Sequence, residues 1–245
     1  MKKPTEWFEN WFDSPYYHVL YKHRNHQEAK AFINKLLLYL APTPTATFLD
    51  KACGRGRHTA HLAKKGYSAT GLDLSPNNIA FAKGKWGNIG HFQIHDMRLP
   101  FKQESFDYVM SLFTSFGYFE TNAENEQVLA SAYSDLKSGG TMVLDFLNIN
   151  WVKKHLLDND IKTIKDIQFC QKRQITNGWI IKNIDITDGE EKLHFEEKVK
   201  ALNAEILIQL FENVGFKIKS LFGSYNLDKF DTDFSERIII IATKP

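Results

Sequence analysis

Apolar positions along the chain switch between two periods, and the switches mark its elements. Over residues 26–40 (HQEAKAFINKLLLYL), Phe32, Ile33, Leu36, Leu37, Tyr39 and Leu40 recur at helical spacing. Asn25 followed by Glu28 reads as an N-cap with its reciprocal acid, and Pro42 stops the helix. Short apolar runs at 47–49, 67–72, 91–95, 106–111 and 141–146 then read as strands, with helices between them at 58–65, 75–83 and 121–137. Ser75-Pro76 opens the second of these helices, Thr121 and Glu124 form a capping box at the third, and Gly139-Gly140 ends it. Strands alternating with helices predict a parallel sheet covered on both faces.

The period then changes. Residues 164–201 hold strand-like runs separated by Asn177-Gly178 and Asp188-Gly189, both hairpin signals, so an antiparallel β-ribbon is expected as an insertion. An amphipathic helix at 204–214, closed by Gly215, and strands at 216–222 and 237–242 complete the chain. The expected layout is one domain, 1–245. It comprises an N-terminal helical lid (1–45), a core (46–147), the ribbon (150–202) and a closing helix with two strands (203–245).

Composition narrows the function classes. The formal charge of +2 comes with lysines and acids interspersed and no dense basic block, which argues against a nucleic-acid partner. The N-terminus lacks the apolar core of a signal peptide, and no stretch approaches the ~20 apolar residues that span a bilayer. Cys53 and Cys170 give neither a disulfide framework nor a metal-ligating pattern. The expectation is a cytoplasmic protein with no membrane contact and no bound metal.

Candidate chemistry starts at FLDKACGRGRHTA, residues 48–60, a glycine turn between a strand and a helix. Such turns let backbone approach a ligand closely. A dinucleotide fingerprint needs a third glycine three residues on, but Arg57, His58 and Thr59 follow Gly54-Arg55-Gly56; no G-K-[ST] follows either, which excludes a P-loop. Asp50, ending the strand, would repel a pyrophosphate and suits a cationic ammonium.

From these residues the chain resembles the class I S-adenosylmethionine (SAM) dependent methyltransferases. Their first motif, [D/E]-x-G-x-G-x-G, fits from Asp50, with Ala52 in place of its first glycine and Gly54 and Gly56 as the others. The resemblance implies that Asp73, ending the next strand, holds the ribose hydroxyls and that Leu74 packs on the adenine. It implies that Asp96 receives the adenine amino group, with the Met97 amide beside it, and that Ser111 and Leu112 also contact the cofactor. The run 105–119 resembles the family's fourth strand and substrate-facing loop, and 136–146 its fifth strand, so the likeness covers about residues 46–147. It implies a Rossmann-like sheet of seven mostly parallel strands with helices on both faces and the last strand antiparallel.

The aromatic N-terminus resembles that of small-molecule methyltransferases, which implies that Tyr21 and Arg24 reach the methionine portion of SAM. Tyr16, Tyr17, Phe116 and Tyr118 are the implied acceptor contacts. The ribbon resembles inserted strands that roof a pocket or form a homodimer contact. No general base is secure: His18, His23 and His58 are candidates by location only. Ser111-Leu112-Phe113-Thr114 stands where nucleic-acid base methylators often carry N-P-P-Y-type motifs, which disfavours DNA amino-methylation. The expected activity is methylation of N or O on a small molecule. An RNA or protein methyltransferase, or a non-catalytic SAM-binding protein, are the alternatives.

Overall fold

The structure, a computed structural model, describes residues 6–22 and 26–245. Seven strands make the main sheet: β1 (Thr47–Lys51), β2 (Ser68–Asp73), β3 (His91–Ile94), β4 (Phe106–Ser111), β5 (Leu136–Leu147), β10 (Lys217–Phe222) and β11 (Arg237–Thr243). Their order is β10-β11-β5-β4-β1-β2-β3. The pairs from β5 to β3 are parallel, while β11 runs antiparallel to both β5 and β10. The Rossmann-like expectation and its antiparallel last strand both hold.

The strands read as continuous apolar runs because both faces are covered. Successive residues point to opposite faces. Leu49, Val109, Leu144 and Ile240 face Val128 and Leu129 of α6 (Asn122–Asp135) and Leu207 and Phe211 of α8 (Ala204–Val214). Their neighbours Phe48, Met110, Val143, Ile239 and Ile241 face Phe32, Ile33 and Leu36 of α3 (His26–Leu40) and Leu62 of α4 (Arg57–Lys64). The helix starts follow their caps. Ser75 Oγ accepts from the Asn78 amide at α5 (Pro76–Trp86), and Thr121 and Glu124 close a reciprocal box at α6. The Asn25 cap lies outside the described residues.

The inserted ribbon differs from expectation in having four strands: β6 (Asn159–Ile164), β7 (Ile167–Thr176), β8 (Trp179–Asp188) and β9 (Glu191–Lys200). Asn177-Gly178 and Gly189 make the anticipated tight turns with positive φ. The first hairpin turns instead through Lys165-Asp166, at φ 50° and 68°, without a glycine to announce it. A short helix, α7 (Ile149–His155), precedes the ribbon. The N-terminus forms α1 (Trp7–Asp13) and α2 (Pro15–Leu20), whose Trp11 and Leu20 pack on Phe169, Ile184 and Ile186 of the ribbon.

Candidate active site

Parallel strands end on one edge of the sheet, and at that edge β1, β2, β3 and β4 open onto a cavity of about 720 Å³. That lies within the roughly 300–1,000 Å³ of small-molecule and cofactor sites. Its floor is Ala52, Gly54, Asp73, Leu74, Asp96, Met97, Leu112 and Phe113; its roof is Phe8, Phe12, Asp13, Tyr17, His18 and Tyr21 from α1, α2 and the turn after them.

The floor follows from local backbone. Ala52 holds φ 62°, the left-handed conformation that a glycine would adopt more readily. Gly54 follows at φ 56°, and a Cβ there would project into open space facing the cavity. The Gly54 amide donates to Asp73 Oδ2 at 2.8 Å and the Ser75 amide to Asp73 Oδ1 at 2.9 Å. Burial raises the Asp73 pKa, and these backbone donors oppose the rise. The turn that approaches a ligand is thereby tied to the strand-end acid beside it.

Asp96 is more committed than expected. Its carboxylate accepts from Arg98 Nη2 at 2.7 Å and Nε at 3.0 Å, and Arg98 also pairs with Glu6 and Glu124. Asp96 and Met97 nonetheless both border the cavity.

Several expected residues stand apart from the cavity. Asp50 is buried behind the turn, where it accepts from Thr59 Oγ1 at 2.7 Å; burial pushes its carboxyl up to about 7 despite that bond. Gly56 is required by packing, since a Cβ there would lie 2.4 Å from Phe92 Cε1. Ser111 is buried one residue below the edge, its hydroxyl without a partner among the described residues. Phe116 is fully buried in the sheet–helix core against Phe146. Tyr16 points to the ribbon tip, where its phenol donates to Asp188 and Glu191, and those bonds push its pKa up to about 12. Arg24 and His23 lie outside the described residues.

Tyr17, Tyr21 and Tyr118 do reach the cavity. Tyr21 is also held from behind: its phenol donates to Glu197 Oε1 at 2.7 Å and accepts from Lys182 Nζ at 2.6 Å. Trp11 Nε1 donates to the same Glu197 oxygen at 2.6 Å. Among the described residues, none of the ribbon borders the cavity. It supports α1 and α2 from outside, which corrects the expectation that it roofs the pocket.

The roof is latched at both ends. Asp13, closing α1, accepts from the Ser75 hydroxyl, the Asn77 amide at 3.1 Å and Asn77 Nδ2 at 2.8 Å. Glu6, opening α1, pairs with Arg98 at 2.8 Å. Each latch therefore meets a residue that itself bonds a floor acid, Ser75 for Asp73 and Arg98 for Asp96. Asp13, Glu6, Arg98, Phe8 and Phe12 belong to the site although no motif in the sequence signals them. The aromatic spacing of Trp7, Phe8, Trp11 and Phe12 does not show which side of α1 meets the cavity.

His18 bonds Asn78 at 2.9 Å, and burial, then the nearby Arg55 charge, pushes its pKa down to about 4. His58 also borders the cavity, buried and 5.1 Å from the Phe113 ring centroid.

A roofed cavity at the strand ends of a Rossmann-like sheet, with Asp73 ending β2 and Asp96 just beyond β3, stands where open α/β sheets bind their ligands. Residues 48–140 match the model of a family described as a methyltransferase domain. A putative methyltransferase of Geobacillus sp. (strain WCH70) is 25% identical across 98% of this chain and 99% of its own length. A dTDP-3-amino-3,4,6-trideoxy-alpha-D-glucopyranose N,N-dimethyltransferase of Streptomyces venezuelae is 32% identical over 50% of this chain and 54% of its own. The crystal structure of an S-adenosylmethionine-dependent methyltransferase from Clostridium acetobutylicum ATCC 824 superposes with a TM-score of 0.78 at 18% identity, covering 96% of this chain and 98% of that one. These matches support a class I SAM-dependent methyltransferase with SAM as its cofactor.

Proposed function

We propose that the protein methylates a nitrogen or oxygen atom of a small molecule inside the roofed cavity. The observation that carries this reading is the roof. Phe8, Phe12 and Tyr17 with Tyr118 line a cavity of about 720 Å³, a size that suits a cofactor and a small acceptor. The similarity to an amino-sugar N,N-dimethyltransferase supports an amine among such acceptors.

On this reading Gly54 and Ala52 line the backbone approach to the cofactor, Asp73 takes its ribose hydroxyls, and Leu74, Asp96 and Met97 surround its adenine. Open space over Gly54 and the Asp73 carboxylate facing the cavity fit that group. Bound SAM supplies a methyl group on a sulfonium that becomes neutral on transfer. The residues of the chain align the acceptor and exclude water. His18, neutral down to about pH 4, is too weak a base to strip an ammonium efficiently at neutral pH. Desolvation of an ammonium against the rings of Phe8, Phe12 and Tyr118 lowers its pKa and favours the neutral, nucleophilic amine.

Incubation with SAM tritiated on its methyl group, against fractionated metabolites, RNA and protein, tests the proposal. Label is expected in the metabolite fraction; label confined to RNA or protein would refute it.

A further inference from the structure

The cavity wall carries four carboxylates, Glu9, Asp13, Asp73 and Asp96, and three cations, Lys22, Arg55 and Arg57. Its floor and latch acids hold donors: Asp73 takes the Gly54 and Ser75 amides, Asp96 takes Arg98, and Asp13 takes Ser75 and Asn77. Arg55, between the two glycines of the turn, also borders the cavity. Its guanidinium lies over the Phe81 ring, 4.5 Å from the centroid, on one side of the site. Among the described residues it pairs with no carboxylate, and its Nε is buried with no hydrogen-bond acceptor. Desolvation lowers its pKa without any charge to offset it. A partly desolvated guanidinium held flat on an aromatic ring, its fork unsatisfied, is arranged to receive a planar or tetrahedral oxyanion.

We propose that Arg55 is an oxyanion subsite of the cavity, taking a carboxylate or phosphate group of a bound molecule. Two molecules can bring such a group: SAM, through its methionine carboxylate, or an anionic acceptor. The acceptor arm rests on the small-molecule reading above.

Arg55→Gln and Arg55→Lys separate the sources by calorimetry. SAM, its carboxylate-free relative 5′-methylthioadenosine, and inorganic pyrophosphate (onto protein saturated with S-adenosylhomocysteine) are titrated in turn. If the carboxylate of SAM is the partner, Arg55→Gln weakens SAM roughly 10- to 100-fold, leaves 5′-methylthioadenosine unchanged, and Arg55→Lys recovers part of the loss. If the acceptor supplies the anion, SAM affinity holds, and pyrophosphate binding seen in the wild type disappears in Arg55→Gln. The proposal is overturned if SAM affinity is unchanged and pyrophosphate binds both proteins alike or neither. It is equally overturned if all ligands weaken together, the mark of a damaged fold. No acceptor is consumed in these titrations, so their outcome is independent of whether label enters metabolites.

Discussion

Lys51 and Asp135 make an ion pair of 2.8 Å with both side chains at 0% exposure, directly beneath the loop that carries Asp96 and Met97. Lys51 Nζ also donates to Ser131 Oγ at 2.6 Å and approaches the Met97 carbonyl at 3.5 Å, while Asp135 Oδ1 accepts from the Phe101 and Lys102 amides at 2.7 and 2.8 Å. Burial lowers the Lys51 pKa, and the Asp135 charge opposes the fall. Lys51→Met fits the stem's apolar path but leaves Asp135 charged, buried and short of its counter-ion. Neither group is screened by solvent, so the full penalty of breaking a buried pair applies, about 3–5 kcal/mol. At this chain length that corresponds to a fall in Tm of about 6–20 °C. The double change Lys51→Met with Asp135→Asn removes the stranded charge and keeps a side-chain oxygen for the two amides, so it is expected to recover about 2 kcal/mol or more of that loss. Urea unfolding monitored by fluorescence and circular dichroism measures all three proteins. A single-variant loss below about 1 kcal/mol, or a double variant less stable than the single, would show that the pair carries no such penalty.

Two further outcomes follow from the glycine turn and the acid behind it. Gly56→Ala must hold φ 76° and press a methyl on Phe92, which is 6% exposed and backed by Ala82, so it is expected to destabilise by about 2–5 kcal/mol in the same unfolding assay. Gly54→Ala meets no atom within 4 Å and should lose only about 1–2 kcal/mol of stability, yet its methyl enters the cavity, so SAM affinity measured by calorimetry is expected to fall. For pH, the Asp50 carboxyl is raised by burial to about 7, above its unfolded value. The folded state therefore binds more protons between about pH 4 and 7, and stability from this group is full below that window and lost as pH rises through 7. Asp50→Asn should remove this slope, which reaches at most about 1.4 kcal/mol per pH unit; equal slopes for the two proteins at pH 5, 6 and 7 would contradict it.

The sequence signals that worked were those with local causes. Ser75-Pro76, the Thr121–Glu124 box and the apolar strands flanked by glycines each act over a few residues, and each appears where expected. β6 escaped notice because its hairpin turns on Lys165-Asp166, which carry no glycine, and its own residues are mostly exposed. The acids Asp73 and Asp96 were legible as strand ends. Their near partners, Ser75 and Arg98, lie two residues on, but the latches that join those partners to the roof, Ser75 to Asp13 and Arg98 to Glu6, span 62 and 92 residues of chain. The same distance in sequence hid the ribbon's role. Glu197 holds Trp11 and Tyr21 across 186 and 176 residues, which makes the ribbon a brace for the roof.

Calorimetric titration of SAM into the wild type and Asp73→Ala tests whether SAM sits at the strand ends of β1 to β3 with Asp73 on its ribose. Loss of a charged hydrogen-bond acceptor facing the cavity is expected to weaken binding by about 1.5–3 kcal/mol, roughly 10- to 100-fold, with the fold retained. Equal SAM affinity in the two proteins would contradict it.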